Sequence, residues 1–280
     1  MRLASLSKIT ITTSLTALVI FSHSLVPIQA HIFSSNESAS FISLADQIKS
    51  ALVATRNNST NIDTIKEQGG YARALLNDSI VEEIQEKNQR LATELPRVLD
   101  SLQTISEEEV NSNITRLLDL LSETINARVE TDQLENTTIQ ALAVAGDVDM
   151  IFSDYSSAYN KSVTGIDMNI NMNMSITPDN KSSMEVPKDM QAYNRALAFA
   201  DITIDRFNTE LKDKSENISS AQGALIGLEQ LRNAMQNKEP PSNLLGIVHG
   251  QIHPNLQTAY GLELAKTMSV QSNANHSAPL

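Results

Sequence analysis

Between Val110 and Val129 the chain carries Val110, Ile114, Leu117, Leu118, Leu121, Ile125 and Val129, a stripe that advances by helical steps. Spacing of three and four residues places these side chains on one face of a 3.6-residue helix, and that face has to be buried against another element. Just before it, "SEEE" at 106–109 reads as a capping box, with Ser106 as N-cap and Glu109 reaching back. The same period recurs along most of the chain. Leu44, Ile48, Ala51 and Leu52 run into a loop at "NNST". Ile62, Ile65, Tyr71, Leu75, Leu76, Ile80, Ile84, Leu91 and Leu95 follow. Gly69-Gly70 reads as a break there, and Pro96 as the end of the run or the first position of the next helix. Leu142, Val148, Ile151 and Tyr155 mark a helix from about Thr137 to Tyr159. Later, Pro187 suits a first turn ahead of Met190, Leu197, Ile204, Phe207 and Leu211. Ser219 or Ser220 is placed to cap a helix with Leu225, Leu228, Leu231 and Met235, and Ser242 to cap a final region reaching about Met268.

These segments, joined by short turns, predict an all-α, antiparallel, bundle-like protein of about seven or eight helices. The expected layout is an N-terminal helical bundle over 31–160, a long loop or short hairpin over 161–187, and a C-terminal helical region over 188–268 packed on the first. Exposed stretches are expected at about 31–38 and a disordered tail at 269–280. The 161–187 segment, "VTGIDMNINMNMSITPDNKSSMEVP" in its main part, breaks the helical period, and a loop of that length is usually functional or disordered.

The first 30 residues have the layout of a secretory signal. Arg2 and Lys8 form a basic start, an apolar stretch follows, and Pro27 precedes a cleavage site after Ala30. Ser22, His23 and Ser24 interrupt the apolar stretch, so it is weak for a membrane span. No transmembrane segment is expected after cleavage. The formal charge is −12, and removing Arg2 and Lys8 gives −12 − 2 = −14. Such a charge disfavours nucleic acid and anionic membranes as partners. There is no cysteine, which excludes a thiol nucleophile, an iron–sulfur cluster and a Cys-ligated zinc. An exported chain without disulfides relies on its packed core.

Asn-x-Ser/Thr occurs 11 times, at Asn36, Asn57, Asn58, Asn77, Asn113, Asn136, Asn160, Asn173, Asn180, Asn217 and Asn275. With 24 asparagines and about 18% Ser plus Thr, chance gives about four. The excess points to a glycosylated surface on an archaeal or eukaryotic export route, with Asn57, Asn58 and Asn180 as loop sites open to a transferase.

Chemistry is sparse. His249 and His253 in "GIVHGQIHPNL" have the i, i+4 spacing of a metal half-site, but no glutamate follows in the zinc-protease pattern. Pro254 pushes His253 out of helical angles, so the stretch reads as a junction between two helices, with the imidazoles pointing apart. Cleavage after Ala30 would expose His31, whose amine and imidazole can chelate copper. Met168, Met172 and Met174 supply thioethers, soft ligands that select Cu(I), or one face of a strand. No Glu-x-x-His, Gly-x-Ser-x-Gly, P-loop or dinucleotide pattern appears, and no catalytic residue is expected.

The order of "ELPRVLDSLQ" (94–103), "TTIQALAVAGDVDMIFSDYSSAYNKSV" (137–163), "KDMQAYNRALAFADITI" (188–204) and "GIVHGQIHPNL" resembles exported helical proteins of ammonia-oxidising archaea. That family is similar to the extracytoplasmic helical domain of high-affinity iron permeases. The resemblance implies a part in iron uptake, with a membrane permease or envelope protein as partner, and the signal-like start implies an extracellular or cell-surface location. Residues 41–95, where such relatives carry histidines, hold none here. The expected function is a non-enzymatic binding or scaffold module. Its alternatives are a copper-binding extracytoplasmic protein using Met and His ligands and a purely structural glycosylated envelope protein.

Overall fold

The computed structural model describes residues 33, 36–57, 60–161 and 186–263. Among them the fold is all-α and bundle-like. The long helices are α1 (Glu37–Asn57), α2 (Ile62–Leu75), α3 (Asp78–Lys87), α4 (Gln89–Ser101), α5 (Glu107–Arg128), α7 (Thr137–Ala158), α8 (Met190–Arg206) and α9 (Ile218–Gln236). A single turn, α6 (Thr131–Leu134), precedes α7. A π turn at Phe207–Leu211 extends α8. The last region runs through α10 (Pro241–Ile247), a second π turn (Val248–Ile252) and α11 (His253–Tyr260).

Asparagine and aspartate open most of these helices. The side chains of Asn61, Asn77, Asn88, Asn136, Asp189 and Asn217 each accept from a backbone N–H in the first turn, and Asn36 does so for α1. Each such cap stabilises by about 1 kcal/mol. Asn36, Asn77, Asn136 and Asn217 are therefore sequon asparagines with a structural task. Asn217, not Ser219 or Ser220, caps α9: its Oδ1 accepts from Ser220 N at 3.1 Å. Ser106 does sit at the N-cap of α5, but its hydroxyl donates to the Glu109 carboxylate at 2.9 Å rather than capping an amide.

Two apolar cores form. One gathers α1–α5 and the start of α7; the other gathers α7–α11. Leu142 of α7 touches both. Gly69-Gly70 does not break α2. Gly69 packs against the C-cap of α4: a Cβ there would lie 2.9 Å from Leu102 Cβ. Pro96 sits inside α4, neither ending nor starting it. Pro187 precedes α8 rather than opening it. Within the stretch expected to be exposed at 31–38, Phe33 is buried and α1 starts at Glu37; residues 31, 32, 34 and 35 lie outside the described residues. The last described helix stops at Tyr260, where Gly261 adopts φ +64°, a left-handed angle that glycine takes at little cost; the rest of the region expected to reach Met268, from residue 264 on, lies outside the described residues. No described helix is long and apolar enough to cross a membrane.

Candidate functional site

α7 is apolar along most of its length, yet Gln140, Asp147 and Asp154 are all buried in it. They stand seven residues apart, about two turns, and so lie along one face. That face meets α1 and α8, and the three helices enclose two layers of charge.

In the first layer Arg195 of α8 holds Asp154. Nε donates to Oδ2 at 2.9 Å and Nη2 to Oδ1 at 3.2 Å, a bidentate pair with both side chains buried. The guanidinium lies 3.6 Å from the Tyr71 ring centroid, and Nη1 donates to Gln68 Oε1 at 3.2 Å. Tyr71 accepts from Gln47 Nε2 at 2.7 Å and donates to Asp154 Oδ1 at 3.4 Å. Gln68 Nε2 continues to the Gln191 carbonyl at 3.0 Å, and Gln191 Nε2 to the Thr64 hydroxyl at 2.7 Å. Burial pushes the Asp154 carboxyl above its ordinary range, with Arg195 pulling it back.

The second layer is two turns lower on α7. Arg206 Nε donates to Asp46 Oδ2 at 2.5 Å and Nη1 to Gln140 Oε1 at 2.9 Å. Asp147 is fully buried beside them. Its Oδ2 lies 3.5 Å from the Thr203 hydroxyl, and its Oδ1 has no hydrogen-bond partner. Burial, and then the neighbouring Asp46, push Asp147 well above the ordinary carboxylate range; Arg206 acts the other way.

The stretch at His249 and His253 differs from the sequence reading. His253 has helical angles, φ −59° and ψ −46°. The chain accommodates Pro254 with a π turn, in which the His253 N–H reaches the Val248 carbonyl five residues back. The shifted carbonyl register carries the proline without ending the helical rod. The imidazoles therefore do not point apart. Their centroids are 5.4 Å from one another, edge to face. His253 is also 5.3 Å from the Phe33 ring, and its Nε2 lies 3.5 Å from Asp149 Oδ1. Across from the turn, α9 comes close through Gly227, where a Cβ would meet Ile252 at 2.8 Å.

Of the other residues singled out by sequence, Met168, Met172, Met174, His31, Asn58 and Asn180 lie outside the described residues. Asn57 is exposed as the last residue of α1. Asn113 is different: its Nδ2 donates to the Glu109 carbonyl at 3.0 Å within α5. In a glycosylating host, glycopeptide mapping is expected to show fuller occupancy at Asn57 than at Asn113. Full occupancy at Asn113 with a bare Asn57 would contradict this.

Among the described residues no group of three or more His, Cys, Asp or Glu is arranged to hold a metal. An open depression of about 660 Å³ is polar and lies at the starts of α7 and α9, bordered by Thr137, Lys214, Asn217 and Tyr260. The network of Asp154, Arg195, Asp147 and Arg206 was not picked out from the sequence. The available signal was the seven-residue spacing of polar groups in the apolar "IQALAVAGDVDMIFSDY". No family model, curated protein or solved structure matches the chain.

Proposed function

We propose that this chain is an exported, non-enzymatic helical module that works through its outer surface, as a binding or scaffold part of the cell envelope accessory to metal uptake. One observation carries this reading. The strongest buried ionisable groups, Asp154 with Arg195 and Asp46 with Arg206, pair between packed helices, and Asp147 is buried beside the second pair, instead of converging on the open depression. Groups spent in that way hold helices together, and recognition falls to the surface. The signal-like first 30 residues, the acidic composition and the sequons support the address.

Intact-mass measurement of the protein recovered from its native cell surface tests the reading. The expected mass is that of a chain beginning at His31 with added glycan. Recovery of the unprocessed 280-residue chain from the cell interior would overturn it.

A copper-binding extracytoplasmic protein is the second reading. It is favoured by the 5.4 Å separation of the His249 and His253 rings. Two imidazoles sharing a tetrahedral metal at N–metal distances of about 2.0–2.1 Å have centroids roughly 5 Å apart.

A further inference from the structure

The joint of α1, α7 and α8 contains two carboxylates and one guanidinium. Arg206 is committed to Asp46 at 2.5 Å and to Gln140 at 2.9 Å. From α1, Asp46 and Ser43 face Asp147; from α8, Arg206 and Thr203 do. Glu210, in the π turn after α8, acts on Arg206. The donors left for Asp147 are two hydroxyls, those of Ser43 and Thr203. The Thr203 hydroxyl is 3.5 Å away and has a better acceptor in the Phe199 carbonyl at 2.9 Å. Asp147 Oδ1 has no hydrogen-bond partner.

An ionised carboxylate here would be a second buried negative charge against one positive charge, short of hydrogen bonds. A protonated carboxyl removes the excess charge and lowers the need for donors. We propose that Asp147 is an interior proton-binding site, filled at neutral pH, whose emptying loosens α7 from α1 and α8. The direction of its titration agrees, since burial and Asp46 both favour the protonated form. A carboxyl that holds its proton more tightly folded than unfolded contributes stability at low pH. That contribution is lost as pH rises from the unfolded carboxylate range through the folded value.

Asp147→Asn keeps the shape and removes the titration. Infrared spectroscopy of the full chain is expected to show a protonated-carboxyl signal at neutral pH that is smaller by one carboxyl in Asp147→Asn, with Asp149, which burial pushes up to about 7, contributing equally to both proteins. Hydrogen exchange of α7 amides, corrected for intrinsic rate, is expected to speed up about tenfold more in the parent than in the variant as pH rises from the ordinary carboxylate range into the alkaline range. Asp46→Asn gives an independent arm: it leaves Asp147 alone with Arg206, and the pH at which α7 loosens should fall. The proposal is overturned if the carboxyl signal is undiminished in Asp147→Asn, if parent and variant share one pH dependence, or if Asp46→Asn leaves the transition where it was. Should Asp147→Asn not fold, the parent's infrared signal and the Asp46→Asn shift decide.

Discussion

Replacing Arg195 with alanine is expected to lower the unfolding free energy by about 3–5 kcal/mol, the range found when one member of a buried ion pair is removed. The size follows from what is stranded. Asp154 would lose both bidentate hydrogen bonds while remaining buried between α7 and α8. Gln68 Oε1 would lose its donor, and Tyr71 the guanidinium stacked on its ring. The pair itself is a weaker source of stability than this loss implies, because desolvating both groups offsets much of their attraction. Asp154→Leu combined with Arg195→Met should therefore recover part of the loss. Full recovery is not expected, since Gln68 still lacks a donor. Denaturant unfolding of the parent, the single variant and the double variant checks both statements. An Arg195→Ala protein within about 0.5 kcal/mol of the parent would contradict the described layer.

Arg206→Ala is expected to cost a similar amount near neutral pH, again about 3–5 kcal/mol, with a different dependence on pH. Arg206 is the one described cation touching Asp46, and it also holds Gln140. Without it, Asp46 and Asp147 share a sealed joint with no positive charge between them. Protonation relieves such a site, so the folded protein would bind protons more tightly than the unfolded chain. The deficit relative to the parent should then shrink on acidification toward the carboxylate range and grow as pH rises. Thermal unfolding of both proteins across that range measures it. A deficit that is constant with pH would mean that Arg206 acts through packing rather than charge.

Much of the fold could be read from residue spacing, because amphipathic helices declare themselves locally. The stripe from Val110 to Ile125 lies on α5, and Thr137 opens α7. Punctuation was harder to read. Gly69 looked like a break and proved to be a point of close approach to Leu102, which is a property of α4, not of α2. Pro254 looked like a stop, but a π turn absorbed it; the i→i+5 register has no short sequence signature. The charged layers were the least legible. Asp154 meets Arg195 across 41 residues, and Arg195 meets Gln68 across 127. Local pattern cannot pair groups so far apart. It could only have marked Asp147 and Asp154 as interruptions of an apolar helix face.

The account rests on the ionisable residues serving the helical body and its surface, not a resident metal. The most direct test is metal analysis of the natively purified protein beside its His249→Gln/His253→Gln double variant, with circular dichroism on both. The account predicts substoichiometric metal in each, equal within error, and unchanged helix content. Stoichiometric copper, iron or zinc in the parent that is lost from the double variant, with helix content intact, would contradict it. That result would establish the adjacent imidazoles of the Val248–Ile252 turn as a metal site.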